Sequence, residues 1–248
     1  MVLASTIHDP EARLLSEIFE VSSLRLDDES VVVAYSPQTH SGITELLEDY
    51  GYLLVEGGES VVSVYRAALG RSLQEGPGHV FYCDLDRLLH WSKTFPMELA
   101  ETRKKALAYD FLMVGRTRRA FATHPPTQTL TEEVANLVAS KVAGASSVMD
   151  FISVCWGLSA PLVECLLSRP EINAHGFFCG WPVATWGMAV RRGYVEVDGL
   201  EWETPDRYEA EISRLGYNAW VKSFMSSCEW ERRSVILRDV VKSLLLQR

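Results

Sequence analysis

Two aspartates separated by one leucine, Asp84-Leu85-Asp86, follow directly on the apolar run His79-Val80-Phe81-Tyr82-Cys83. Carboxylates two residues apart at the end of a buried strand put two hard oxygen ligands within reach of one cation. Magnesium or manganese accepts such ligands and shares its other positions with phosphate oxygens and water. A capped turn at a strand end uses the same residue types, so the motif alone leaves both readings open. Arg116, Arg118 and Arg119 come just after a further apolar run, Asp110–Val114. A guanidinium binds diphosphate or carboxylate as a fork, which makes Arg116 and Arg118 candidates for an anionic ligand; pairing with surface Asp and Glu is the alternative. His124, immediately before Pro125-Pro126, is a candidate third metal ligand from a loop. Trp181, Trp186 and Trp202 are candidates for an apolar wall against an acceptor, although tryptophans also fill ordinary cores.

Such residues need a frame to hold them, and the sequence predicts one of alternating strands and helices. Val31–Tyr35 is a run of β-branched and apolar residues without alternation, as in a strand buried on both faces. A helix is predicted over Gly42–Tyr50, a second strand over Tyr52–Val55, a helix over Ser60–Ser72, and a third strand over His79–Cys83. Glu56-Gly57-Gly58-Glu59-Ser60 lacks the lysine of a P-loop and the spacing of a dinucleotide fingerprint, so it reads as a tight turn with Ser60 as helix cap. Further on, Met97–Ala108, Leu130–Val142, Ala160–Leu167 and Arg232–Leu246 have helical patterns, while Asp110–Val114 and Phe151–Cys155 read as strands. Five of the seven tryptophans lie from Trp181 onward. No repeat or linker interrupts the chain, which predicts one unit with two halves, residues 1–122 and 123–248.

With 248 residues, a substantial core is available. The hydrophobic share of 47% and charged share of 23% are those of a globular chain. A formal charge of −9 opposes binding to a nucleic-acid backbone or to anionic lipid as the main task. The five cysteines are scattered and never spaced as CxxC, which fits a reducing cytoplasm better than a zinc knuckle or disulfide framework. No secretory signal is apparent, and Val148–Leu167 carries two acids and a proline, a poor membrane span. A cytoplasmic protein is predicted, with an oligomer compatible.

Val31–Pro37, Leu53–Gly58 and His79–Asp86 together resemble the nucleotide-binding half of a GT-A glycosyltransferase of the broad family-2 type. The resemblance covers roughly residues 30–120. It implies a GT-A-like (Rossmann-like) mixed sheet flanked by helices, with a helical, aromatic, acceptor-side C-terminal half. It also implies a polar turn for the nucleotide base at Tyr35 and Ser36, and an acid for base or ribose at Glu56. The segment Arg66-Ala67-Ala68-Leu69-Gly70 resembles the family's basic, small-residue stretch, and Asp110–Arg116 the strand that follows. The metal site falls on Asp84 and Asp86, and the ligands implied are a nucleotide-diphosphate sugar and an unidentified acceptor. Two departures stand out. Glu56-Gly57-Gly58 has one acid where the family usually has two, and Gly180–Trp186 holds no acid where inverting members carry a catalytic base.

Metal-dependent sugar transfer is the function implied. One alternative is a binding or regulatory protein that keeps the scaffold without turnover. Another is a phosphohydrolase of the haloacid-dehalogenase type, in which Asp84 would be a nucleophile.

Overall fold

The computed structural model describes residues 1–20, 30–76, 78–169 and 175–246. Among these, seven strands form one mixed sheet: β1 (Val2–Ile7), β2 (Val31–Tyr35), β3 (Leu53–Glu56), β4 (His79–Cys83), β5 (Phe111–Arg116), β6 (Cys155–Ser159) and β7 (Arg192–Val197), in spatial order β3-β2-β1-β4-β6-β5-β7. β1 runs parallel to β2 on one side and to β4 on the other. β6 is antiparallel to both β4 and β5, and β5 pairs parallel with β7. Six of these strands therefore end at the same edge.

The structure adds a strand ahead of the predicted series. The first strand is Val2–Ile7, not Val31–Tyr35, and it lies between Val31–Tyr35 and His79–Cys83. All six of its residues are buried, so no polar alternation marks it, and Ser5 and Thr6 are held by internal hydrogen bonds instead. The strand predicted at Phe151–Cys155 is displaced: Phe151–Ser153 forms a tight 3-10 turn. Val154 then adopts a left-handed backbone at φ 55°, and the strand starts at Cys155. The edge strand β7 was not predicted, because its half-exposed residues carry a weak apolar signal.

Helices cover both faces. Alternate residues of each strand point to opposite sides, so Val80 and Tyr82 enter one core while Phe81 and Cys83 enter the other. The second core is closed by α1 (Leu15–Glu20), α2 (Ser41–Asp49), α4 (Leu85–Thr94) and α5 (Pro96–Ala106). The first is closed by α3 (Val61–Glu75), α7 (Pro126–Val142), α8 (Ala160–Ser168), α9 (Phe177–Met188) and α12 (Ser227–Leu245), with α6 (Arg118–Ala122) at the carboxyl edge. The short helices α10 (Glu209–Leu215) and α11 (Tyr217–Val221) follow a 3-10 turn at Thr204–Tyr208. As predicted, Ser60 caps α3, accepting the Ser63 N–H at 3.2 Å. Gly57 lets that turn pack: a Cβ there would lie 2.6 Å from the Val64 Cα. Among the described residues, no helix is long and apolar enough to cross a membrane.

Candidate active site

In an open sheet, ligands gather beyond the carboxyl ends of the strands, where successive connections leave in opposite directions. Here that point lies between β1 and β4, since the chain proceeds from β1 outward through β2 to β3 and returns to β4 on the other side. A cleft of about 290 Å³ opens there. Its polar lining is Thr6, His8, Ser36, Gln38, Glu59, Ser60, Tyr65, Asp84, Asp86 and Arg207, with Ile7, Leu14, Val61 and Val64 as apolar wall.

Asp84 is the residue between β4 and α4. Its Oδ1 accepts hydrogen bonds from the hydroxyls of Tyr65 and Tyr82, each at 2.7 Å, and of Thr6 at 3.1 Å. Oδ2 receives none from the described residues and remains available. Burial raises the Asp84 carboxyl above its usual range, opposed by the charge of Arg87. Burial also raises both tyrosine hydroxyls, so they stay protonated and act as donors.

Asp86 sits in the first turn of α4, one oxygen accepting the Arg87 N–H at 2.8 Å and the other 3.2 Å from the Arg207 guanidinium. Arg207 stands on the Thr204–Tyr208 turn and lies 4.0 Å from Glu203. Beneath them Arg87 donates to the Ser153 carbonyl. Glu203 Oε2 is buried without a hydrogen bond, and burial raises that carboxyl. Three carboxylates thus meet two guanidiniums, a balance that an added cation would improve. Among the described residues no three His, Cys, Asp or Glu side chains are grouped to hold a metal by themselves. Asp84 Oδ2 and Asp86 nevertheless suit part of the coordination of magnesium or manganese, with phosphate oxygens and water completing it.

Of the residues singled out by sequence, Ser36, Asp84 and Asp86 share this cleft. Ser36 Oγ is 2.7 Å from His8 Nδ1. Tyr35 and Glu56 end neighbouring strands in register and interact with each other, outside the cleft lining. Arg66 is turned away: its guanidinium donates to the Leu167 and Arg169 carbonyls, at the end of α8.

Arg116 and His124 belong to a separate buried center. Arg116 grips Asp150 through Nε at 2.7 Å and a terminal nitrogen at 2.9 Å, and lies 2.7 Å from Glu132. His124 packs beside it, Nε2 3.5 Å from the guanidinium and Nδ1 3.2 Å from the Ala120 carbonyl. Burial, reinforced by the Arg116 charge, pushes His124 down to about 2. A histidine placed there does not join Asp84 and Asp86 as a metal ligand, which corrects the expectation. Arg118 is exposed, beside an open cavity of about 410 Å³ that Tyr194 and Glu196 also line. Trp181 is 1% exposed in the core, and Trp186 packs edge-on against Phe111 and Phe151. Trp181 is core, not an acceptor wall.

Several contributors, Thr6 and His8 on the unpredicted strand and its exit among them, escaped sequence reading. Tyr65 and Tyr82 look like ordinary apolar positions of a helix and a strand, and Arg207 stands 121 positions beyond Asp86. The apolar run Val2–Ile7 ahead of His8-Asp9-Pro10 was the available sign of the missing strand.

No family model matches the sequence, and comparison with curated proteins finds no relative. The fold has known counterparts. Glucosyl-3-phosphoglycerate synthase from Mycobacterium tuberculosis, solved with uridine diphosphate, superposes with a TM-score of 0.52 at 18% identity, covering 79% of this chain and 70% of that one. Its complex with Mn²⁺, UDP-glucose and phosphoglyceric acid gives 0.50 at 17%, covering 79% and 68%. Its complex with phosphoglyceric acid gives 0.51 at 17%, covering 87% and 79%. The chain has the GT-A fold of nucleotide-diphosphate-sugar transferases, and the haloacid-dehalogenase reading is set aside. At this identity the likeness is one of fold.

Proposed function

We propose that this protein is a glycosyltransferase that binds a nucleotide-diphosphate sugar in the β1/β4 cleft and transfers the sugar to an acceptor entering from the β5/β7 side. The observation that carries this reading is the position of Asp84 and Asp86 at the topological switch point of a GT-A sheet. A structural counterpart that binds UDP, UDP-glucose and Mn²⁺ supports it.

In this reading Tyr65, Tyr82 and Thr6 fix one oxygen of Asp84, so the other is presented without rotational freedom. Asp86, on the rigid first turn of α4, supplies the second carboxylate. Bound between them, magnesium or manganese would neutralise charge developing on the departing nucleoside diphosphate. Ser36 and His8 stand where the nucleoside half would lie, and Arg118, exposed in the neighbouring cavity, is the side chain suited to an acidic acceptor. No acid lies within α9, which also fits a second reading, nucleotide-sugar binding without turnover.

Thermal-shift titration with UDP, GDP, ADP and their sugar conjugates, with and without Mn²⁺, tests the site without knowledge of the acceptor. A metal-dependent rise in melting temperature with one nucleotide, lost in Asp84→Asn, supports it. No shift with any nucleotide rejects the assignment. Binding without hydrolysis or transfer across a broad acceptor panel favours the second reading.

A further inference from the structure

We propose that Arg207 is the diphosphate-binding cation of the cleft, brought in from the C-terminal half, and that it exchanges Asp86 for the diphosphate when a divalent cation takes Asp86. The proposal rests on the nucleotide-sugar reading above and names how that site couples its two ligands.

Among the described residues Arg207 is the one lysine or arginine lining the cleft, whose acids are Glu59, Asp84 and Asp86. Its bonding capacity is largely unused. One terminal nitrogen lies 3.2 Å from Asp86 and 4.0 Å from Glu203, while Nε is buried without a hydrogen bond. Arg116, by contrast, is held at 2.7–2.9 Å by two carboxylates. An arginine with a buried, unsatisfied donor and only loose ion pairs at 3.2 and 4.0 Å gains more from a new anion than one already gripped.

The residues around Arg207 are anchored on both sides. Asp206 pairs with His90 Nδ1 at 2.6 Å. The Arg13 guanidinium lies 4.2 Å over the Tyr208 ring and pairs with Glu211 at 2.7 Å. These contacts fasten the Thr204–Leu215 stretch to the nucleotide-binding half across the cleft, so the backbone of Arg207 stays in place while its side chain changes partner.

The geometry sets up a competition. A divalent cation on Asp86 approaches the same carboxylate that Arg207 now faces, and two positive groups on one carboxylate repel. A diphosphate gives Arg207 another partner and the cation further oxygen ligands. Metal and nucleoside diphosphate therefore bind with positive cooperativity, and by linkage each tightens the other equally.

Mn²⁺ binding measured alone by electron paramagnetic resonance, and UDP binding measured by calorimetry at saturating Mn²⁺, separate the two effects. In Arg207→Gln the metal alone should bind about fivefold tighter, while UDP should bind about 10- to 100-fold more weakly. Opposite signs of this kind are not produced by a variant that merely loosens the fold. Arg207→Lys, which keeps the charge without the fork, should leave Mn²⁺ affinity near wild type and weaken UDP by less, and it carries the test if Arg207→Gln does not fold. Wild-type protein that binds no nucleoside diphosphate overturns the function proposed above and the exchange with it. Wild-type binding, with both constants unchanged or both weakened in the Arg207 variants, overturns the exchange alone.

Discussion

Two clusters of arginine and acid lie along the carboxyl edge of one sheet, and they are built to opposite ends. At β5, Arg116, Asp150 and Glu132 are almost entirely buried, each carboxylate facing the guanidinium at 2.7–2.9 Å, with Asn136 adding a hydrogen bond to Asp150 at 2.8 Å. Although burial opposes it, the Arg116 charge keeps the Asp150 carboxyl below its usual range. At β4, Asp84 and Glu203 are pushed up by burial, Arg207 is loosely paired, and polar atoms of Glu203 and Arg207 have no partner among the described residues. The first cluster satisfies Asp150 and grips the guanidinium, with Glu132 beside it as a second counter-charge although its Oε2 makes no hydrogen bond, and so holds the structure together. The second leaves bonding undone, and undone bonding beside a cleft is what a charged ligand can complete.

Arg116→Leu should produce the largest effect on stability. It leaves Asp150 and Glu132 buried without their shared cation, a loss of about 3–5 kcal/mol in urea denaturation. A loss smaller than about 1 kcal/mol would mean that the β5 cluster is not the structural member of the pair. Asp84→Asn and Asp86→Asn should separate binding from folding. Metal-dependent nucleotide affinity should fall by more than about tenfold, while the melting temperature stays close to wild type, because a neutral side chain at position 84 is spared the cost of burying a charge. Equal damage to binding and stability would merge the two clusters into one class.

Glu17 lies on the flank of the open cluster, near Asp206, Arg207 and Asp86. Burial raises its carboxyl from about 4.5 to about 8. The folded state therefore takes up a proton across that window. The contribution to stability is complete below about pH 4.5 and is lost as the pH rises toward 8. Glu17→Gln should leave stability unchanged near pH 4 and raise it near pH 8, read by denaturation at the two values. No pH-dependent difference would remove Glu17 from the cluster. The smallest effect belongs to Arg118→Ala: stability within about 0.5 kcal/mol of wild type, unchanged nucleotide affinity, and weaker transfer to an acidic acceptor. An effect on nucleotide binding instead would extend the open site from β4 to β5.

How much of this was legible in the sequence follows from the range of each interaction. Val31–Tyr35, Tyr52–Val55 and His79–Cys83 were readable as strands because each is a short apolar run bounded by turns, and those signals are local. Asp84-Leu85-Asp86 was readable for the same reason, its two carboxylates being placed by one turn of backbone. The neighbouring relations were not. Val2–Ile7, which was not predicted, enters between Val31–Tyr35 and His79–Cys83, and β6 begins only after the left-handed Val154, whose backbone no apolar run announces.

By itself the sequence determined an acidic α/β chain, most of its strands and the pair of aspartates at a strand end. The tertiary structure decided what surrounds those aspartates. Tyr65, Tyr82 and Thr6 converge on one oxygen of Asp84, Arg207 arrives from the far end of the chain at Asp86, and Arg116 is taken out of play by Asp150 and Glu132. A charged side chain has the same identity in every fold. Whether it is satisfied or left to meet a ligand depends largely on partners distant in sequence, up to 121 residues away, and only packing selects them.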